Sequence, residues 1–321
     1  MLRRHPYFTA YVSLAAVCIF WGTTYLGIRM ALESFTPLLL VGIRYTLSGS
    51  VLLIGAAVAK THVPSGKELF YTALFGVIII GVGNGCLSFA ELWIPSGLAA
   101  LFITTSPFWM IGMEALIPGG ERLHAPTLLG MFVGLMGTVL LVGPSSVQQG
   151  WSGPLLRGFL TLQFGCCGWA VGSILQRRHA TKAHPVVSGA VQQMATGLVF
   201  LIPGLLTETH RLHVSARSVG AVLYLVTFGS VVGYSAYLYA LDKLPVSVVS
   251  IYNYINPIVA LFLGWLFYQE PIGIREILAM LVIFAGVTIV KRVGRAPTVQ
   301  RQKPAGPLPA SLGADEQHTG V

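Results

Sequence analysis

The chain has 321 residues, of which 54% are hydrophobic and only 10% charged, and its mean hydropathy is +0.73. A soluble domain carries about 25% charged residues, so this supply cannot cover a water-facing surface and the soluble globular classes are excluded. The formal charge of +9 does not point to nucleic acid, because the basic residues sit at the ends of apolar runs and in the C-terminal tail, where they orient a membrane protein and meet anionic lipid.

Residues 1–9 form a short basic N-terminus. Ala15-Ala16-Val17-Cys18 faintly resembles a lipoprotein cleavage box, but Val17 sits where a small residue is wanted. The apolar run continues to Met30, too long for a signal peptide, so it reads as a first span over 10–31. Trp21 lies about ten residues inside this span, with Thr24 three further on. Its indole is a candidate cavity wall, the alternative being an interfacial belt tryptophan. The second span, 36–59, carries Arg44 about eight residues deep, roughly 12 Å by helical rise. A charge at that depth must face protein or water. Arg44 is therefore a candidate either for binding an anionic substrate or for a structural pairing, with Glu114 or a helix-end carbonyl as partner.

The third span, 69–90, contributes Asn84 and Ser88, and the fourth, 96–117, contributes Phe102 and Ser106 before Pro107. The fifth, 126–143, and the tenth, 273–291, are the shortest. The sixth, 153–175, carries Trp169, a candidate cavity wall like Trp21, more than ten residues after the start of its span. After a seventh span over 185–206, the eighth, 218–240, presents Tyr234 and Tyr237. In the ninth, 245–267, Tyr252 and Asn256 are four apart and share one face. Pro257 there leaves the carbonyl of Asn253 without a helical donor. Amides in hydrocarbon need partners, so these side chains face either a wet cavity or neighbouring helices. From 294 to 321 the chain is rich in Pro, Gly, Ala and Gln and reads as a disordered tail.

Continuous apolar runs exclude a membrane β-barrel, whose strands alternate apolar with polar. With the N-terminus inside, fourteen Lys and Arg fall in the inner segments against Arg211 and Arg217 outside, which predicts that both termini are cytoplasmic. Cys18, Cys86, Cys166 and Cys167 all lie inside apolar runs and read as buried small residues.

The two halves resemble each other. At a shift of 148, Trp21 meets Trp169, Arg29 meets Arg177, Pro37 meets Pro185 and Gly49 meets Gly197. At 150, Gly83 meets Gly233, Ala90 meets Ala240, Pro95 meets Pro245 and Pro107 meets Pro257. At 149, Glu121 meets Glu270 and Gly137 meets Gly286. A shared register over five spans points to a duplication, with units over 10–145 and 150–292. Five is odd, so the second unit enters the bilayer from the opposite side. The expected fold is all-α integral membrane, with ten transmembrane helices in two inverted five-helix repeats.

Phe20-Trp21-Gly22-Thr23-Thr24-Tyr25 with Pro37 and Arg44, then Gly83-Asn84-Gly85, Ala90-Glu91, Pro95-Ser96-Gly97 and Pro107, resemble the first half of an EamA-type member of the drug/metabolite transporter superfamily. Tyr252 to Pro257, Gly264, Glu270 and Gly286 are similar to its second half. The resemblance covers about 10 to 292. It implies a cavity formed by the first, third, fourth, sixth, eighth and ninth spans, with the fifth and tenth packed outside and the second away from the cavity. Carriers of this kind export amino acids, other metabolites or drugs, and related ones move sugar phosphates.

The expectation is therefore a secondary transporter, in a bacterial inner (plasma) membrane, that exports a small amphipathic metabolite or drug by alternating access. Its expected partners are a small-molecule substrate and membrane lipid, with proton or counter-substrate coupling. No histidine lies in a span, and the only aspartates are Asp242 and Asp315. A metal site, an aspartyl protease and an Asp-based proton relay thus lack residues. No phosphate-binding Gly-Lys-Ser/Thr loop is present, so no cofactor or catalytic residue is expected. The alternatives are a non-transporting membrane scaffold and a lipid-modifying membrane enzyme.

Overall fold

A computed structural model describes residues 7–116, 124–149, 153–179, 181–207, 214–244, 246–249 and 251–293. The N-terminal six residues and the tail from 294 lie outside the described residues. Among the described residues there is no strand. Ten helical rods follow in order: α1 (Phe8–Ala31), α2 (Pro37–Val58), α3 (Gly66–Ala90), α4 (Ser96–Leu116), α5 (Ala125–Gln149), α6 (Pro154–Arg178), α7 (Pro185–Thr207), α8 (Ala216–Leu241), α9 (Tyr252–Tyr268) and α10 (Ile274–Val293). Seven of them, α1 to α4 and α6 to α8, are long and apolar enough to cross a membrane. A shorter apolar helix occupies Ala125–Leu140 of α5. The chain is an all-α membrane protein.

Local sequence accounts for the ends. Pro37, Pro154 and Pro185 open α2, α6 and α7, where the missing N–H would have no helical acceptor anyway. Gln269 stops α9 in the left-handed conformation, φ 52°. The fifth apolar stretch is short, as expected, although its helix runs 25 residues because its polar end, Ser145 to Gln149, stays helical past that stretch. One expectation needs correction: the ninth span is not continuous, since a single turn at Val246–Val249 precedes α9. Three rods are also broken internally, α3 by a π-helical segment at Val77–Val82, α8 by another at Leu225–Val232, and α4 by a turn at Thr104–Thr105 between Ser96–Ile103 and Ser106–Leu116.

Glycine seams join the rods pairwise. Along α2 and α7, Leu39 meets Gly204, Gly42 meets Leu201, Thr46 meets Gly197 and Gly49 meets Met194. Numbers rise along one helix as they fall along the other, so the pair is antiparallel. At each site a Cβ would strike the facing helix, which is why the two backbones can come so close. The α5–α10 pair is built alike, with Gly130 on Val290, Gly134 on Gly286 and Gly137 on Ile283. That pair forms a flank. The remaining rods surround a central space, with α1 against α8 and α9, and α6 against α3 and α4. The largest core cluster, including Ile28, Leu101, Phe102 and Leu225, borders it, with Tyr25, Leu87, Ala100 and Leu162 belonging to both.

Candidate functional site

A chamber of about 400 Å³ occupies the centre. Trp21 and Trp169 line it, and each indole rests on a glycine of a neighbouring rod. A Cβ on Gly233 would reach the Trp21 indole nitrogen, and one on Gly83 would touch the Trp169 ring. Trp21 Nε1 also donates to the Gly229 carbonyl at 3.1 Å, in the π segment of α8. Tyr237 lies 5.0 Å from Trp21 by ring centroid and Tyr252 lies 5.2 Å from it edge-on, giving one continuous aromatic wall.

The other expected residues divide. Thr24, Asn84, Ser106, Tyr234, Tyr252 and Asn256 line the same chamber as the two indoles. Thr24 donates to the Trp21 carbonyl at 2.6 Å within its own helix, whereas Ser106 Oγ lies 2.6 Å from the Ile103 carbonyl and 3.3 Å from Cys166 Sγ on α6. With its amide turned to suit its neighbours, Asn256 donates to the carbonyls of Cys18 at 3.0 Å and Tyr252 at 3.1 Å, joining α9 to α1. Ser88 and Phe102 are not among the lining residues. Both are buried, and Phe102 packs edge-on to Phe159 at 5.1 Å within the core cluster.

Arg44 is 6% exposed and reaches the chamber from α2. The implied cavity of six spans therefore needs correction, because α2 supplies Arg44 and Tyr45, and α7 supplies Gln193. The opening for Arg44 is Gly229, where a Cβ would lie 3.1 Å from the guanidinium. Glu114 is not its partner: that carboxylate meets Arg177 at 2.5 Å and Arg178 at 3.7 Å. Arg44 Nε donates instead to Ser230 Oγ at 2.9 Å, and its guanidinium lies 4.8 Å from the Tyr45 ring centre. Gln193, which accepts from Ser48 at 2.5 Å, escaped the sequence reading. The signal was there, since an amide in the middle of an apolar run is subject to the argument applied to Asn256.

Glu270 ties the connection after α9 to the start of α4. Its carboxylate accepts from the Ser96 backbone N–H at 2.9 Å, Ser96 Oγ at 3.0 Å and the Gly97 N–H at 3.1 Å, capping the positive end of α4. From Ser96 to Phe102 α4 is buried except at Leu98, whereas its second half, Ser106–Leu116, has no buried residue.

The fold and chamber define a polytopic helical membrane protein built around a central polar-and-aromatic cavity. The model of the EamA-like transporter family matches residues 8–143 and again 156–292, and the chain belongs to that family of transporters. It is 31% identical over 280 residues to the uncharacterized inner membrane transporter YedA of Escherichia coli K12, covering 87% of this chain and 89% of that protein. Protein PecM of Dickeya dadantii is 27% identical over 295 residues, covering 90% and 94%. A solved crystal structure at 20% identity superposes with a TM-score of 0.64, covering 89% of this chain and 97% of that one, which speaks to the fold alone.

Proposed function

We propose that the chain is a secondary transporter that moves a small amphipathic metabolite or drug out of the cell by alternating access. The observation that carries this reading is the reciprocity of the two halves around the chamber. The residue facing Gly49 is Met194 and the residue facing Gly197 is Thr46, each pair the other's image at a shift of 148. Gly137 on Ile283 and Gly286 on Gly134 repeat the pattern at 149. Trp21 on Gly233 and Trp169 on Gly83 repeat it within the chamber, and the two π segments begin 148 residues apart, at Val77 and Leu225. Contacts of this kind between antiparallel partners support two inverted five-helix repeats, the architecture whose halves can exchange conformations about a fixed midplane site.

Two further features fit. The buried first half of α4 and its loosened second half support a conformer closed at the Glu270 end and slack at the other. The charge count places that closed end outside. Counting Arg29 in the last turn of α1 and Arg157 and Arg275 in the first turns of α6 and α10 raises the outer number to five and leaves the asymmetry with fourteen inside intact. Both termini are then cytoplasmic.

The test is flux. Purified protein in liposomes, offered a panel of amino acids, organic acids and amines with and without a pH gradient, is expected to give saturable transport of at least one solute, with dependence on the gradient reporting proton coupling. Specific binding of a protein partner with no flux across the panel would favour a scaffold.

A further inference from the structure

The chamber carries one formal charge among its described lining residues, and that charge is positive. Lysine, aspartate, glutamate and histidine are absent from the lining, whereas Arg44 lies within it, 6% exposed. No carboxylate lies within 4.0 Å of the guanidinium among the described residues; the glutamate–arginine ion pairs formed there involve Arg177, Arg178, Arg217 and Arg275 instead. A buried guanidinium stays protonated and is costly to leave uncompensated. Here the protein supplies only part of the compensation. Nε is bound to Ser230 Oγ and the Tyr45 ring covers one face, but the terminal nitrogens have no protein acceptor among the hydrogen bonds formed.

We infer that the solute is an organic monoanion, with its carboxylate or an equivalent planar anionic group held by Arg44 and its apolar body laid against the Trp21 wall. The inference rests on the transport reading and sharpens it. The terminal nitrogens of arginine match the two oxygens of a carboxylate as parallel donors, which a lysine ammonium would not reproduce. Gly229 is where the two parts of the site meet, since its carbonyl accepts from Trp21 Nε1 and its missing Cβ leaves room for the guanidinium. The anionic head and the aromatic surface are thus adjacent. An amine finds no compensating carboxylate in the described lining, and a neutral solute leaves Arg44 unneutralised. A zwitterion meets the first need but must leave its ammonium to amide and carbonyl oxygens such as those around Asn253.

The discriminating experiment uses four probes of one shape: 3-phenylpropanoate, phenylalanine, 3-phenylpropylamine and 3-phenylpropanol. Binding to purified full-length protein in nanodiscs is read by tryptophan fluorescence, and flux is read separately in liposomes. 3-Phenylpropanoate is expected to bind at least about tenfold more tightly than the amine or the alcohol, the margin of one charge-assisted pair. Arg44→Gln should remove that margin, and Arg44→Lys should restore part of it, which also controls for loss of fold. Equal binding of all four probes, or preference for the amine, overturns the inference. Preference for phenylalanine over the anion makes the solute a zwitterion and overturns the monoanion assignment. Arg44-dependent binding without flux retains the anion site and removes the transport reading; amine flux that ignores Arg44 does the reverse.

Discussion

Glu91 sits in the short connection between α3 and α4, 1% exposed, and neither of its carboxylate oxygens meets a donor. Burial pushes its carboxyl well above the ordinary carboxylate range; the positive charge of Arg29 opposes this and the charge of Glu270 adds to it. Arg29 spends one N–H on the Glu91 main-chain carbonyl at 2.5 Å. Because the folded pKa is raised, the stabilising state is the protonated one. It is fully present below the unfolded carboxylate pKa and lost as pH rises through the folded value. Thermal midpoints of the detergent-solubilised protein should therefore fall from acid toward neutral pH, and Glu91→Gln should flatten the fall and be the more stable form at neutral pH. Parallel pH profiles for the two proteins would refute this assignment. The two chamber tryptophans make a second comparison. Trp21 has a hydrogen bond and two ring partners, whereas Trp169 lies on Gly83 and against the buried cluster of Val41, Tyr45, Phe75, Ile79 and Ile80, with no indole hydrogen bond among the described residues. Replacement of either by Ala should cut flux, but Trp21→Ala should also lower the thermal midpoint more than Trp169→Ala does; equal midpoints would mean that the Gly229 contact adds nothing to stability.

At the scale of the helix, what holds the bundle is close backbone approach. Gly49 and Gly197 face backbone atoms of the opposite rod, so a leucine at either position must push α2 and α7 apart. Gly49→Leu should cost about 1–3 kcal/mol or more, as overpacking of a core does, read as a loss of folded yield and midpoint. Gly55 and Gly112 face open space, so leucine at those positions serves as the control. Glu270 acts on an element rather than on a residue. Glu270→Gln keeps the shape but removes the charge at the start of α4, and should weaken the closed end by about 1–2 kcal/mol. The expected readout is faster labelling of a cysteine placed at Ala100, inside that end; unchanged labelling would assign the cap to folding alone. Helix positions were legible because continuous apolar runs bounded by Pro and charge leave little choice. The π segments were not. In a run that is apolar on every side, the extra residue of a π turn shifts no visible pattern, and Val77–Val82 and Leu225–Val232 look like any other stretch of Val, Ile, Leu and Gly. The break before α9 was hidden for the same reason.

Over the whole molecule, the repeat carried more of the site than polarity did. Matching Trp21 to Trp169 at 148 led to two residues of one chamber, as the proposed inverted repeat would require of two images about one axis. Polarity alone could not separate Ser88 and the Phe102–Ser106 face into inner and outer members, since a small hydroxyl can bond within its own helix and an aromatic ring packs equally well in a core or on a wall. Arg44 was visible as a deep charge, yet its route to the chamber depends on the missing Cβ of Gly229 in another rod, which no local pattern reveals. Orientation has its own check. Val63 and Val214 are exposed at opposite ends, 41% and 60%; Val63→Cys should react only from the cytoplasm and Val214→Cys only from outside, and the reverse would invert the topology.

The central claim is that one chamber is open to one side of the membrane at a time. In a cysteine-free background, Asn253→Cys lines that chamber and can be challenged with a membrane-impermeant maleimide from either face, with and without a disulfide locking Ser96→Cys to Glu270→Cys across the closed end. Alternating access predicts labelling from both faces in the unlocked protein and from the cytoplasmic face alone once the lock is formed, with flux lost at the same time and recovered on reduction. Labelling from one face regardless of the lock, or from both faces despite it, would contradict the account.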